Sequence, residues 1–328
     1  MSEIVAVAGS SHSPMLAQEP AMMWKLRAEQ DKTYDQLHDT EGALVPYAEL
    51  EARAGERFSS DIVPEIWNER YARAQASIER LSADLRALDL DLVIIVGDDQ
   101  EELFDFSNLP AISVFYGEMM TMEDPDADNH GRPIPAEIQR RLGNDGAVYR
   151  ADAAAGRFLI ESLIEQEFDV ASTNAEPTGT GFGHAYGWVL GRLLSGADIP
   201  AVPIMLNTYF PPNQPTAARC YELGQALRKA VESLPGQRRV GVVASGGLSH
   251  FVVDHDLDQR VLEAMRAHDA AFLRSIPQRK LRSGTSEIRN WVTVAGASEH
   301  LTARWIDYIP AVRTLGGTGI GLAFGLWS

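Results

Sequence analysis

The side chains best suited to chemistry are three histidines in small-residue turns. His12 lies in SSHSP directly after the apolar run EIVAVAG, and His250 ends the segment ASGGLSH after a second apolar run. His184 stands in the glycine-rich segment GTGFGHAYG. A neutral imidazole is a common metal ligand, and it titrates closer to neutral pH than other side chains. Each histidine therefore suits metal binding or proton transfer; the alternative for each one alone is a hydrogen-bonded loop histidine.

Acidic and amide side chains follow another apolar run. The segment VIIVGDDQEELF places Asp98, Asp99 and Gln100 directly after a predicted buried strand. Carboxylates at such a position are costly unless they meet water, a cation or a hydrogen-bond donor. The pair of acids predicts a metal or substrate site, and the alternative is a solvated loop in which Asp98 or Asp99 caps a helix.

A further acid, Glu287, lies in SGTSEIRNW, which reads as a cap followed by a helix. By periodicity alone, this side chain would only interact with the helix dipole. Cys220 is the single cysteine of the chain, so a thiolate metal cage and an internal disulfide are both excluded. Any metal must be bound by histidine, carboxylate or amide groups.

Two other kinds of site find little support. The segment GTGFG lacks the last glycine of the dinucleotide-binding motif, and the C-terminal LGGTGIGLAFG has no helix or acidic partner after it. The chain contains no G-x-S-x-G elbow of the kind that serine hydrolases use.

The charge of the chain limits its partners. The 328 residues carry a formal net charge of -17, which disfavours nucleic acid and anionic membranes and favours a small organic substrate. An anionic substrate would need a local arginine such as Arg132, or a bound cation, to overcome this field. The N-terminus lacks a basic region and no segment is long and apolar enough to span a membrane, so we expect a cytoplasmic protein.

Apolar runs that are typical of strands alternate with amphipathic stretches. The runs cover residues 3–9, 91–99, 111–116, 200–206 and 240–247, and the predicted helices cover 64–88, 151–166 and 216–233. This alternation predicts an α/β fold with a mainly parallel or mixed central sheet covered by helices. His12 and the paired acids would then follow strands at the edge of the sheet where ligands collect.

The charged, helical segment at about 20–75 reads as an insertion near the N-terminus. We expect residues 1–328 to form a single catalytic domain that carries this insertion. Its role is open between a lid over the site and an arm for dimerisation.

Taken in order, these segments resemble the class III (LigB-type) extradiol ring-cleavage dioxygenases, which include the catalytic subunit of protocatechuate 4,5-dioxygenase. The resemblance covers nearly the whole chain outside residues 20–75. It is carried by SSHSP, GDDQ, the glycine-flanked histidine, LNTYFPP, SGGLSH and SGTSE followed by a helix with a tryptophan.

The resemblance implies roles for the residues that match the motifs. His12 matches the first iron-ligand histidine and Glu287 the carboxylate ligand. His250 matches the catalytic acid/base histidine, and His184 a second active-site histidine that contacts substrate.

One ligand position departs from the family pattern. The second ligand histidine of the family corresponds to Gln100 here, and Asp99 is the alternative third ligand. An amide oxygen would hold Fe(II) less tightly than imidazole does, whereas a second carboxylate would favour Mn(II) or another oxygen-preferring divalent cation.

The implied activity is Fe(II)-dependent cleavage by O₂ of a small dihydroxylated aromatic ring of the catechol, gallate or methylgallate type. We also expect a homo-oligomer, most simply a dimer. The competing hypotheses are a non-redox metalloenzyme, either a hydrolase or a lyase, and a metal-free binding protein on the same scaffold.

Overall fold

The computed structural model describes residues 1–126 and 134–328, so Arg132 lies outside the described residues. Ten strands occur in the described part of the chain. In chain order they are β1 (Glu3–Ser10), β2 (Leu92–Asp98), β3 (Ile112–Phe115), β4 (Met119–Thr121), β5 (Val148–Arg150), β6 (Ala171–Thr173), β7 (Ala201–Leu206), β8 (Arg239–Ser245), β9 (Ala303–Val312) and β10 (Gly319–Trp327).

Helices separate most of the strands. In chain order they are α1 (Pro14–Ala17), α2 (Pro20–Asp31), α3 (Tyr47–Ala54), α4 (Pro64–Arg86), α5 (Ala136–Arg141), α6 (Ala153–Glu165), α7 (His184–Gly187), α8 (Ala217–Ser233), α9 (His255–Ala267), α10 (Ala270–Ser275) and α11 (Ile288–Ala297). A π-helical segment, Trp188–Leu193, continues α7, and a 3-10 helix, Ser283–Glu287, leads into α11. Across the described ranges, no helix is both long and apolar enough to cross a bilayer.

The central sheet has eight strands in the order β6-β3-β7-β2-β8-β1-β10-β9. Its middle strands β7, β2, β8 and β1 are parallel to one another, while β10 pairs antiparallel with β1 and with β9. The fold class predicted from the sequence, α/β with a mixed sheet and surrounding helices, is confirmed. The carboxyl ends of the four parallel strands consequently meet at one edge.

Helices cover both faces of the sheet, and this explains why the central strands are apolar along their whole length. Ile94 and Val242 pack into the layer that contains α6, α8, α9 and α11, whereas Ile95 and Val243 pack into the layer of α1, α2, α4 and α7. Successive strand side chains point to opposite faces, so each strand contributes to both layers.

The C-terminal hairpin of β9 and β10 was not predicted from the sequence. The two strands pair over nearly their full lengths, and β10 extends the sheet beyond β1. The sequence of β10, GIGLAFGLW, contains three glycines and an alanine, residues that are depleted in strands. Its composition therefore did not indicate a strand. Antiparallel pairing with β1 and β9 overrides this weak propensity.

The range 20–75 contains α2, α3 and the first half of α4, in agreement with its helical pattern. The long helix α4 then packs along β9 and β10. A role as lid or dimerisation arm remains a prediction, as does the organisation of residues 1–328 as one domain.

Candidate metal centre and active site

Polar side chains from four parallel strands converge where the strands end. His12 follows β1, Asp98 is the last residue of β2, Tyr209 follows β7 and His250 follows β8. Glu287 arrives from the helical layer on one face, at the end of the 3-10 helix that precedes α11. The site therefore occupies the sheet edge at which ligands collect in α/β proteins.

Three of these side chains form a compact set of potential metal ligands. One ligand atom each from His12, Asp98 and Glu287 lies within 4.8 Å of the other two, and all three residues are buried. His12 Nε2 is 4.0 Å from Glu287 Oε2. An imidazole and two carboxylates in this arrangement suit a divalent cation.

The environment of His12 prepares its ring to ligate through Nε2. Its Nδ1 lies 2.9 Å from Ser245 Oγ, whereas the buried Nε2 has no hydrogen-bond partner among the residues that the structure describes. Burial, followed by the nearby His184, lowers the pKa of His12 to about 3, so the ring is neutral. A neutral imidazole with one nitrogen held and the other unpaired is the form that binds a metal.

Asp98 is held by two amides. Gln100 Nε2 donates to Asp98 Oδ2 at 2.9 Å, and Asn290 Nδ2 lies 3.5 Å from Oδ1. Burial, followed by repulsion from Glu287, raises the pKa of Asp98 to about 7. A cation between the two carboxylates would remove this repulsion, so the donor set fits a bound metal.

The two candidates predicted from the sequence for the third ligand, Gln100 and Asp99, make other contacts, and their role as ligands stays a prediction. Gln100 contacts Asp98 through its amide nitrogen, and Asp99 accepts hydrogen bonds from the backbone N–H groups of Leu103 and Phe104 at 2.7 and 3.1 Å. Among the carboxylate groups of this segment, the structure places Asp98, rather than Asp99, together with the predicted ligands His12 and Glu287. The acidic pair was the available signal, but only the strand register distinguishes its two members.

Glu287 is oriented by hydrogen bonds to both carboxylate oxygens. The Gly247 N–H donates to Oε2 at 2.6 Å, and the Tyr209 hydroxyl donates to Oε1 at 2.7 Å. Burial alone would raise its pKa, but His250, His12 and Tyr209 together lower the pKa of Glu287 to about 2. The side chain is therefore an anion near neutral pH, as a metal ligand must be.

His250 lies against this anion. Its Nδ1 is 2.8 Å from the Leu248 carbonyl oxygen and is therefore the N–H donor, while Nε2 is 3.3 Å from Glu287 Oε1 and 3.4 Å from the Tyr209 hydroxyl. Burial opposes the charged ring, yet Glu287 and the Leu248 carbonyl outweigh it and raise the pKa of His250. With Nδ1 committed, Nε2 is the atom that can exchange a proton within the site.

His184 approaches from the opposite helical layer. It begins α7, and its ring meets the His12 ring edge-on with 4.5 Å between centroids. Its Nδ1 lies 3.4 Å from Glu102 Oε1. The structure therefore brings all four histidine and glutamate residues singled out from the sequence, His12, His184, His250 and Glu287, into one site.

Two contributors to the site went without a role in the sequence analysis. Tyr209 lies in LNTYFPP, a segment that carried the family resemblance, and its hydroxyl links Glu287 to His250. Arg289 is fully buried and donates to backbone carbonyls of Thr208, Pro215, Leu281 and Ser286. It thereby ties the segment of Tyr209 to the segment of Glu287.

Comparison with known proteins identifies the family of the chain. Residues 64–323, more than half of the chain, match the family described as the catalytic LigB subunit of aromatic ring-opening dioxygenase. Asp98, His184, His250 and Glu287 lie inside the matched range, and His12 precedes it.

Two curated relatives match shorter stretches. A gallate dioxygenase from Pseudomonas putida is 40% identical over 100 residues, which are 30% of this chain and 29% of the relative. A 2,3-dihydroxyphenylpropionate/2,3-dihydroxicinnamic acid 1,2-dioxygenase from Comamonas testosteroni is 30% identical over 92 residues, which are 28% of this chain and 27% of the relative. The matched stretches thus span less than a third of either relative. The extent of the family match, by contrast, shows that the chain belongs to the family of catalytic LigB subunits of aromatic ring-opening dioxygenases.

Proposed function

We propose that the protein is a metal-dependent extradiol dioxygenase that uses O₂ to cleave a small aromatic ring bearing adjacent hydroxyl groups. The observation that carries this proposal is the convergence of His12, Asp98 and Glu287 within 4.8 Å, beside the catalytic candidate His250. Family membership supports aromatic ring opening as the reaction class.

The relatives and the site support a proposal for the substrate class. Gallate and 2,3-dihydroxyphenylpropionate, which appear in the names of the two relatives, are both aromatic compounds with adjacent hydroxyl groups. We infer that a catechol-, gallate- or methylgallate-like compound is the substrate here. Two neighbouring hydroxyls can chelate one cation, and a metal held by three protein groups leaves positions for such a chelate.

We propose Fe(II) as the metal and His12, Asp98 and Glu287 as its ligands. When bound, Fe(II) would lower the pKa of a substrate hydroxyl and allow electron density to pass between the ring and O₂. In this ligand set, Asp98 takes the place of the second histidine of the usual two-histidine, one-carboxylate arrangement.

The chain's own groups manage protons and orientation. His250 Nε2 would accept a proton from the second hydroxyl, since its other nitrogen is held by the Leu248 carbonyl. The Tyr209 hydroxyl fixes Glu287 and lies close to the same Nε2, so it keeps the base and the carboxylate in register. His184, packed edge-on against His12, is placed to orient the substrate oxygens. Burial of His12, His250 and Glu287 would keep bulk water away from the reacting atoms.

A second hypothesis is a non-redox metalloenzyme on the same scaffold. It is favoured by the presence of two carboxylates and only one imidazole in the ligand set, because oxygen-rich sites prefer Mn(II) or Mg(II) over Fe(II). Such an enzyme would hold its metal tightly without consuming O₂.

An oxygen electrode and elemental analysis would distinguish the two. Protein prepared anaerobically and loaded with Fe(II) should consume O₂ with at least one member of a panel of catechols, gallates and their methyl ethers, with a ring-opened product in the absorption spectrum. Absence of O₂ uptake across the panel, with tightly bound Mn or Zn, would instead support the non-redox enzyme.

Substitution of the proposed base provides a finer test. His250→Phe should retain the metal and lower turnover by about a hundredfold or more, the contribution of a general acid/base. His255→Phe is a matched control, because His255 is exposed at the start of α9. Equal turnover in the two variants would remove His250 from the mechanism.

A further inference from the structure

A positively charged side chain, that of Arg27, lies on the buried face of α2. The residues of this helix that point into the protein include Met23, Trp24, Ala28 and Asp31. Arg27 lies three residues after Trp24 and four before Asp31, on the same face, and is partly buried. An arginine on an otherwise inward-facing helix surface calls for a partner of opposite charge, since burying an unpaired charge is costly.

The nearest carboxylate is already used by another arginine. Asp31 accepts two hydrogen bonds from Arg313, at 2.6 and 2.9 Å, and a further one from the Thr318 hydroxyl. Arg27 itself donates to the neutral Gln30 side chain at 2.9 Å, and it has no carboxylate within 4.0 Å in residues 1–126 and 134–328. Asp31 therefore pairs with Arg313, and Arg27 has no ion-pair partner among the residues that the structure describes.

Arg27 borders the candidate active site. The Arg27 guanidinium lies 5.6 Å from the ring of Phe251, and that ring is 5.4 Å from the ring of His250. Tyr34, which follows α2, packs edge-on against the Phe251 ring with 4.7 Å between the ring centroids. Although burial lowers the pKa of Arg27, Tyr34 and Tyr209 lie near enough to the guanidinium to oppose that shift, and the Tyr209 hydroxyl binds Glu287.

Arg27 keeps its charge in this setting. Burial, followed by repulsion from Arg313, lowers its pKa to about 10, which is still well above neutral pH. In a chain of net charge -17, a guanidinium held without a carboxylate beside the site supplies the local attraction that an anionic substrate requires.

We propose that Arg27 is a specificity-determining residue that binds the carboxylate of an aromatic acid whose hydroxyl groups occupy the metal centre. This inference rests on the proposed function and narrows its substrate class to ring compounds that carry an acid group away from the diol. Phe251 and Tyr34 would flank the ring, and the planar guanidinium would pair with the carboxylate in a bidentate manner. A neutral catechol would leave the cation unpaired and would bind more weakly.

Binding titrations of metal-loaded protein without O₂ test the proposal. The probes are gallate and 2,3-dihydroxyphenylpropionate, each compared with its methyl ester, which keeps the hydroxyls and removes the charge. The wild type should bind at least one acid more tightly than its ester. Arg27→Gln should weaken binding of that acid by roughly ten- to a hundredfold, as expected for loss of a charged hydrogen-bonded partner, and should leave the ester nearly unchanged. Arg27→Lys should retain part of the preference.

Lys25→Gln is the matched control, because Lys25 is exposed on the same helix and its replacement removes the same formal charge. Arg27→Gln should also raise KM for the acid far more than it changes kcat, whereas a structural defect would change the binding of acid and ester alike. The proposal is overturned if the wild type shows no preference for either acid, if it binds neither acid, or if Lys25→Gln has the same effect as Arg27→Gln. The titration does not require turnover, so an acid preference that depends on Arg27 without O₂ uptake would count against the dioxygenase and not against this role.

Discussion

Individual side chains in the site are explained by their mutual electrostatics. Asp98 and Glu287 are buried carboxylates that repel each other, and His12 presents an unpaired nitrogen toward them. Desolvated charges of one sign are stable only with a compensating cation or a proton. Arg27 is likewise a partly buried charge, here a positive one, that an anion would compensate. In both places the protein offers a site whose charge a bound species would balance.

The identity of the third ligand can be tested by metal content. Asp98→Ala should lose metal on dialysis to the same degree as His12→Ala or Glu287→Ala, because each removes one of the three converging groups. Gln100→Ala should retain metal with affinity reduced by about ten- to a hundredfold, since it removes only the hydrogen bond that orients Asp98. Elemental analysis after dialysis measures both. Retention of metal in Asp98→Ala together with its loss in Gln100→Ala would identify Gln100, and not Asp98, as the ligand.

Asp258 predicts a pH dependence of stability. This carboxyl accepts hydrogen bonds from Ser249 and Tyr308 beside the His250 loop, and burial, with a smaller contribution from Asp254, raises its pKa to about 7. An ordinary aspartate titrates near 3.8. Because the folded-state pKa is the higher one, the protonated carboxyl contributes stability fully below pH 3.8, and this contribution is lost as pH rises through about 7.

Urea unfolding at several pH values measures this effect. The free energy of unfolding of the wild type, relative to Asp258→Asn, should fall by at most about 1.4 kcal/mol per pH unit between pH 4 and 7. Asp256→Asn, which changes an exposed carboxylate on the same helix, should follow the wild type. Parallel curves for the wild type and Asp258→Asn would show that Asp258 does not titrate in this range.

Single elements position the site through close packing at their ends. The 3-10 helix Ser283–Glu287 delivers Glu287 to the cluster while its second residue, Gly284, lies against the His250 ring. A Cβ atom at Gly284 would be 2.0 Å from His250 Cδ2. The element therefore sets the position of the carboxylate and of the proposed base at once.

Gly284→Ala should consequently lower turnover strongly while it lowers the stability of the fold only moderately. The added methyl group must displace the His250 ring or the 3-10 helix, and overpacking of this kind costs roughly 1–3 kcal/mol. We expect turnover to fall by at least tenfold, since proton transfer depends on close alignment of the base. Kinetics and urea unfolding measure the two effects.

The control is Gly191→Ala, where the nearest atom to the new Cβ is the Tyr149 hydroxyl at 3.1 Å, at the end of a side chain that can move. Gly284→Ala with wild-type turnover would mean that the position of His250 is not set by this contact.

The molecule as a whole joins its helical N-terminal region to its C-terminal hairpin through a buried ion pair. Asp31 ends α2, and Arg313 directly follows β9. Both side chains are buried and form a bidentate ion pair, and the Thr318 hydroxyl donates a further hydrogen bond to Asp31. The pair connects the region predicted to be an insertion with the edge of the central sheet. A lid movement of α2 would have to break this contact.

Removing one partner of the pair should destabilise the protein strongly. Arg313→Met leaves Asp31 buried without its ion-pair partner, and loss of one partner of a buried pair costs about 3–5 kcal/mol. Asp31→Leu combined with Arg313→Met should cost less than the sum of the two single changes, because neither member of the ion pair is left buried without the other. A double-mutant cycle by urea unfolding measures the coupling. Additive effects of the two substitutions would show that the pair contributes little to stability.

Local pattern was sufficient for much of the fold and for part of the site. The apolar runs at β1, β2, β7 and β8 predicted buried strands, and the small polar turns after two of them placed His12 and His250 at strand ends. These predictions were possible because the alternation of side chains along a strand and the residue preferences of a turn are set within a few residues. The glycine-rich β10 was missed because its strand conformation depends on pairing with β1 and β9 rather than on its own propensity.

Long-range packing decided the remainder. Nothing near residue 287 distinguishes Glu287 from any first-turn acid, and only the chain's path over the sheet brings it to within 4.0 Å of His12, at the opposite end of the sequence. The register of β2 alone separates Asp98 from its neighbour Asp99. Likewise, the role proposed for Arg27 depends on Arg313, which is distant in sequence and forms the ion pair with Asp31. These contacts depend on which elements meet in space. Contacts between segments that are distant in the sequence cannot be predicted from the composition of either segment.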